Sequence, residues 1–220
     1  MSAGDGISVA VAGGHGKIGM HLIRLLAERG DEVRSLDRRA EYADELRAAG
    51  ARPVLCDLEA AGLPEIGEAI AGADAAVFSV GAGPGSGPEP KWQIDYAGAL
   101  KLVAAALLRD VRRFVMVSSI GADAGARGKE PFATYLRAKG RADEELERSG
   151  LDYTIVRPTM LTDNPATGRI LAGRGLGRSE VSREDVAAVL AATLRAPNTI
   201  GATFEVAAGT DPVPEAVAAL

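Results

Sequence analysis

The stretch Ile7-Ser8-Val9-Ala10-Val11-Ala12-Gly13-Gly14-His15-Gly16-Lys17-Ile18-Gly19 decides how the rest of the chain is read. A short β-rich run ends on glycines. After it, Ile18, Leu22, Leu25 and Leu26 recur at i, i+4, i+7 and i+8, one face of a helix. Glycines at 13, 16 and 19 suit a tight turn and let backbone N–H groups approach a pyrophosphate closely. The helix that follows offers its positive dipole end to the same charge. In this context the motif predicts a dinucleotide site, and the alternative is a glycine turn that serves packing alone.

Outward from that junction, strands and helices alternate. Strands are expected at Glu32 to Asp37, Arg52 to Cys56, Ala75 to Val80, Arg113 to Ser118, Tyr153 to Val156 and Thr203 to Val206. Helices are expected at Ala40 to Ala49, Pro64 to Ala71, Asp95 to Leu108, Phe132 to Arg148 and Ser182 to Arg195. Near-continuous apolar strands between amphipathic helices predict an α/β fold, a doubly wound parallel sheet with helices on both faces. Its ligand site belongs at the carboxyl ends of the strands. The whole chain, 1–220, reads as one domain, with 159–182 and the C-terminal segment forming a small substrate lobe. Two segments break the alternation, Gly81 to Pro90 and Gly168 to Arg178. Each either frames a substrate site or is a plain surface loop. The arginines of the second (Arg169, Arg174, Arg178) read as solvated. Ser182 with Asp185 reads as a helix cap.

Composition removes other classes. Glycine makes up 27 of 220 residues, well above the usual share of about 7%, with no repeat to absorb it. Net charge is −5 with the acids dispersed, so no basic stripe marks a nucleic-acid surface. The single cysteine, Cys56, sits in an apolar run and reads as a buried thiol. Met1 to Gly6 lack a basic region and no apolar run approaches the ~20 residues of a membrane span, so a cytoplasmic protein without membrane partners is expected. His15 and His21 make no metal-ligand spacing with Cys56, and no metal is expected. The alanine-rich segments Val186 to Leu194 and Val213 to Leu220 leave monomer and homodimer both open.

The cofactor choice rests on three residues. Asp37 ends the second strand, where an acid takes the ribose 2′-OH of NAD. Arg38 and Arg39 follow it, and a guanidinium there pairs with the 2′-phosphate of NADP. The cations tilt the reading to NADP, with NAD possible. Tyr135 and Lys139 stand at i and i+4 on one helix face. A cation beside a phenol favours the phenolate and suits proton transfer, and the plain alternative is an exposed pair. Ser119, at a strand end, can donate to a substrate carbonyl. Trp92 either closes over substrate or anchors the next helix.

Together the glycine motif at Gly13 to Gly19, Ser119, Tyr135 and Lys139 resemble the short-chain dehydrogenase/reductase superfamily. The chain is most similar to its compact atypical, extended-like members, labelled NAD(P)-binding or NAD-dependent epimerase/dehydratase. Supporting local matches are Val33 to Arg39, Cys56-Asp57-Leu58, Arg113 to Gly121, Tyr153 to Pro158 and Arg183 to Ala187. The resemblance implies a Rossmann fold, with Gly13, His15, Gly16, Lys17 and Ile18 along the pyrophosphate and Arg38 on the 2′-phosphate. Asp57 and Leu58 would meet the adenine, and Gly81, Ala82 and Gly83 the second ribose. Lys139 would reach that ribose's hydroxyls, and the backbone after Pro158 the carboxamide. Asp95 stands where the superfamily's fourth catalytic residue is usually asparagine, and Thr159 where glycine is common. The tail after Lys139 is short for a nucleotide-sugar epimerase. The implied activity is therefore NADP-dependent oxidoreduction of a small carbonyl or related substrate. A binding sensor without turnover, or a flavin or quinone reductase that needs no tyrosine acid, is the alternative.

Overall fold

The computed structural model describes residues 6–83, 85–177 and 179–220. In chain order the first half runs β1 (Ser8–Ala12), α1 (Lys17–Glu28), β2 (Glu32–Asp37), α2 (Ala43–Ala48), β3 (Ala51–Leu55), α3 (Leu63–Ile70) and β4 (Ala75–Phe78). Helix α4 is compound: a turn Pro88–Pro90, a π-helical stretch Lys91–Gly98 and the α-helical Ala99–Leu108. The second half holds β5 (Arg113–Val117), α5 (Pro131–Arg148), β6 (Asp152–Pro158), β7 (Met160–Thr162), β8 (Arg169–Gly173), β9 (Glu180–Ser182), α6 (Arg183–Thr193), β10 (Ala202–Ala208), β11 (Asp211–Pro212) and α7 (Val213–Ala218).

The main sheet has the order β11-β8-β10-β6-β5-β4-β1-β2-β3, and its run from β10 to β3 is parallel. Side chains alternate across it with the period of two that a strand dictates. In β1, Val9 and Val11 enter the core beneath α1 and α6, with Leu22, Leu26, Val186 and Leu190. Ala10 and Ala12 enter the opposite core, with Ile66 of α3, Leu102 of α4 and Leu146 of α5. Helices therefore cover both faces, as the doubly wound pattern predicts. The chain leaves β1 toward β2 and β3, then returns to place β4 on the other side. The crevice between the carboxyl ends of β1 and β4 is the topological switch point, where ligands of such sheets bind.

Three expectations change. Gly168 to Arg178 is not all loop, because β8 occupies its first half and pairs antiparallel with β10, Leu171 opposite Ala207. Only that long-range pairing and the burial of Ile170 make so short an apolar run a strand. Gly81 to Pro90 ends early: α4 begins at Pro88, since proline suits a first helical turn. The helix expected over Ala40 to Ala49 opens with a 3-10 turn, Ala40–Tyr42. Arg178 and Pro84, within the two segments read from sequence, and residues 1–5 lie outside the described residues. Ser182 caps α6, its hydroxyl accepting from the Asp185 backbone N–H at 2.9 Å. Among the described residues no helix is long and apolar enough to cross a membrane, and no cluster of side chains could hold a metal ion.

Candidate active-site cleft

Gly13 leaves β1 at φ +79°, with its N–H bound to the Leu36 carbonyl. A Cβ there would stand 2.9 Å from the Ser79 oxygen, so glycine lets the β1 and β4 ends approach. Gly19 lets α1 lie against the loop, for a Cβ would meet the Gly13 carbonyl oxygen at 2.4 Å. The N-cap of α1 is Gly16, without a side-chain cap, and no acid occupies the first turn. An uncapped helix N-terminus lining a cleft is a cradle for an anion. The residues present thus fit a dinucleotide's diphosphate.

Two clefts meet here. One, of about 280 Å³, is lined by Gly13, His15, Asp37, Arg38, Asp57 and Leu58 among others. The other, of about 750 Å³, is lined by Ile18, Lys91, Phe132, Tyr135, Lys139 and Arg183 among others. Both include Gly16, Ser79, Val80 and Gly81, so they form one trough across the switch point. Ala82 lies in the narrower end, and Lys17 and Gly83 in the wider.

In the narrow end the carboxylate of Asp37 is committed inward. Oδ1 accepts the His15 N–H at 3.1 Å and Oδ2 the Ser35 hydroxyl, and the residue is buried. Arg38 is exposed and pairs with Glu59 at 3.3 Å. The His15 ring stacks on Tyr42 with centroids 3.5 Å apart, so it stiffens the loop as a platform. Burial pushes the Cys56 thiol up to about 11, which keeps it protonated and inert.

In the wide end Lys139 is 3% exposed. Nζ donates to the carbonyls of Val80 at 3.2 Å and Val117 at 3.1 Å. It pairs with Oδ1 of Asp95 at 3.2 Å, though without hydrogen-bond alignment, since that oxygen has no hydrogen-bond partner. The other Asp95 oxygen accepts the Ala82 N–H at 3.3 Å. Burial opposes the Lys139 charge, but Asp95 and Tyr135 outweigh it and hold the ammonium above its usual range. Asp95 belongs to the π-helical stretch of α4, and π turns gather at functional sites.

Ser119 and Pro158 are not brought to the trough. The Ser119 hydroxyl donates to the Ile120 carbonyl at 3.1 Å, and Pro158 is buried at the end of β6, its carbonyl accepting the Ile120 N–H. Ser118 lines the wide end instead. Trp92 packs edge-on against Tyr96, with centroids 5.5 Å apart, and lines neither cleft, as a helix anchor would.

Several residues of the site escaped sequence reasoning. The Ser118 hydroxyl donates to Asp143 at 2.8 Å, and Arg157 binds the same carboxylate oxygen. Burial lifts the Asp143 carboxyl to about 6, against the pull of Arg157 and Ser118. Its signal was its place four residues beyond Lys139, on the stripe that Tyr135 begins. Asp163 bridges Lys17 of the glycine loop and Arg183 at the start of α6. Nothing in the local pattern announced that contact.

A profile described as NAD(P)H-binding matches residues 13–197. The chain is 38% identical to an uncharacterized sugar epimerase, YhfK, of Bacillus subtilis, over 96% of this chain and 99% of that one. Among solved structures it resembles a protein of Bacillus halodurans provisionally assigned as an NAD-dependent epimerase/dehydratase. Identity there is 38% and the TM-score 0.91, covering 98% of this chain and 100% of the other. The oxidoreductase ylbE of Lactococcus lactis matches with TM-score 0.84 and 26% identity, over 97% and 96% of the two chains.

Proposed function

This chain belongs to the NAD(P)H-binding family, and from that premise we propose that it is an NADP-dependent oxidoreductase of the atypical short-chain dehydrogenase/reductase type, acting on a small carbonyl compound. One observation carries the reading: a single trough joins the glycine loop and Arg38 at its narrow end to Tyr135 and Lys139 at its wide end.

Gly13, Gly16, Lys17 and Ile18 hold the diphosphate, by backbone N–H groups and the dipole of α1. Asp57 and Leu58 flank the adenine, and Gly81, Ala82 and Gly83 the second ribose. Each Asp37 oxygen already accepts one bond from within the protein, while Arg38 stands exposed at the cleft. That division favours a 2′-phosphate over a free 2′-hydroxyl. When bound, the nicotinamide supplies or accepts the hydride.

Tyr135 moves the proton. Its hydroxyl protonates the substrate oxygen during reduction and takes the proton back during oxidation. Lys139 supports it as a buried positive charge paired with Asp95, two of its donors held by the Val80 and Val117 carbonyls and the third left for the ribose hydroxyls that the resemblance implies. Segment 159–182 and the C-terminal residues act as the substrate lobe, and Leu161 supplies a wall of the wide end.

The test is calorimetric titration with NADPH and NADH, repeated with Arg38→Ala. Preferential NADPH binding that collapses in the variant supports the reading. Equal affinities hand the ribose to Asp37, and no binding removes the enzyme. Tyr135→Phe then separates mechanisms. A second reading, flavin or quinone reduction or binding without turnover, is favoured by the position of Ser119, whose hydroxyl does not line the trough. NADPH oxidation unchanged by Tyr135→Phe supports that second reading, and loss of turnover with affinity kept supports the first.

A further inference from the structure

Two lysines are buried in the wide end of the trough, and among the described residues one of them has a counterion and the other has none. Lys139 is neutralised by Asp95. Lys91 is 7% exposed, yet no carboxylate among the described residues lies within ion-pair distance of it. Its ammonium donates to the Ser86 hydroxyl at 2.9 Å and the Gly83 carbonyl at 3.3 Å. On its remaining side lies the ring of Tyr135, 5.3 Å from Nζ to the centroid. An ammonium has three N–H donors, so two meet neutral oxygens and the third meets only a π face. A charge withdrawn from water on such terms is costly and calls for an anion.

The surroundings have the same sign. The wide end is lined by Lys17, Lys91, Lys139 and Arg183, and by no acidic side chain. Lys17 and Arg183 share Asp163 at the rim, and the diphosphate cradle lies beside Lys17. Lys91 stands against the face of Tyr135. Pro131, Phe132 and Leu161 give the same cleft an apolar lining. The protein as a whole carries −5, so this cationic lining is a local arrangement and not the overflow of a basic chain.

We propose that Lys91 is a specificity-determining residue, and that the substrate is a small apolar or aromatic compound carrying a carboxylate, which Lys91 binds next to the oxygen served by Tyr135. The proposal rests on the oxidoreductase reading for its carbonyl, but the anion site stands on Lys91 alone. The carboxylate completes the third donor of Lys91 and gives it the counterion that the described residues do not supply.

The probes are benzoate and its neutral analogue benzamide, titrated by calorimetry at pH 7 into the protein with and without saturating NADPH. Benzoate is expected to bind about tenfold or more tighter than benzamide, the scale of one charge-assisted hydrogen bond. Lys91→Met should erase that preference, and Lys91→Arg should keep most of it. NADPH affinity is measured on both variants as well, because Lys91 also holds the Gly83 carbonyl, and the benzoate preference is compared at saturating NADPH in each. A strut that merely held Ser86 and Gly83 would not discriminate benzoate from benzamide. Equal binding of the two probes by the native protein overturns the proposal, as does a preference that survives in Lys91→Met. If NADPH does not bind but the benzoate preference persists and depends on Lys91, the cofactor reading fails and the anion site stands.

Discussion

Replacing Asp95 by asparagine, the residue usual at this position in the superfamily, should destabilise this protein. The carboxylate is fully buried and stands 3.2 Å from Lys139 Nζ, itself 3% exposed. At an effective dielectric of about 20, that separation corresponds to about 5 kcal/mol of attraction. Asparagine keeps the acceptor for the Ala82 N–H and leaves the volume nearly unchanged, so the loss is the counterion. Removing one partner of a buried pair costs about 3–5 kcal/mol, or roughly 10 °C in Tm for a chain of this size. Urea unfolding at pH 7 measures it directly. The pH dependence supplies a second check. In the native protein Lys139 titrates above its usual range, so its stabilisation is present at neutral pH and is lost only as pH rises through that high value. Without Asp95, burial is left as the main influence and lowers the Lys139 pKa. The variant's deficit should then narrow as pH rises and the lone ammonium discharges. Lys139→Met combined with Asp95→Asn should recover most of the loss. A deficit below about 1 kcal/mol at pH 7, or one that widens with pH, would refute the reasoning.

Asp143 offers the opposite sign. Its carboxyl is raised from 3.8 to about 6, so it favours the fold while protonated and withdraws that stability as pH rises through about 6. The stability of the native protein relative to Asp143→Asn should fall by about 2 kcal/mol between pH 4 and 7, and a rise over that range in paired urea titrations would show the Arg157 contact prevailing over burial. Gly19→Ala places a Cβ 2.4 and 2.6 Å from the carbonyl oxygens of Gly13 and Gly14. It should cost about 1–3 kcal/mol of stability, and NADPH affinity should fall more than stability does. Retention of native affinity would place the diphosphate elsewhere. Asp163→Asn frees Lys17 and Arg183 at the rim, and NADPH binding should tighten about two- to fivefold at low salt, the modest scale of exposed pairs. Weaker binding in calorimetry would mean that Asp163 organises the rim.

Much of the site was legible because its signals are local. The glycine loop is read from a strand, a turn and a helix within a few residues, and the structure puts Gly13, Gly16 and Ile18 on the trough. The Tyr135 to Lys139 spacing needs only helical geometry, and both line the wide end. Ser118 and Ser119 differ only in which side the chain turns as it leaves β5, and no neighbouring residue announces that turn. Lys91 was invisible because its burial depends on Tyr135, Gly83 and Ser86 closing around it. A lysine beside prolines reads as solvated until its surroundings are assembled.

The alternation of the main strands and helices, the two-faced pattern of β1 and the glycine turn between β1 and α1 follow from the sequence alone. Strand period, helix period and glycine's freedom at positive φ act between near neighbours and need no distant partner. Tertiary structure alone decided that both Asp37 oxygens accept bonds from within the protein, that Lys139 pairs with Asp95, that β8 joins the sheet and that Lys91 meets no carboxylate among the described residues. Each depends on groups far apart in the chain meeting where water is excluded, and only there does the presence or absence of a partner acquire its energy.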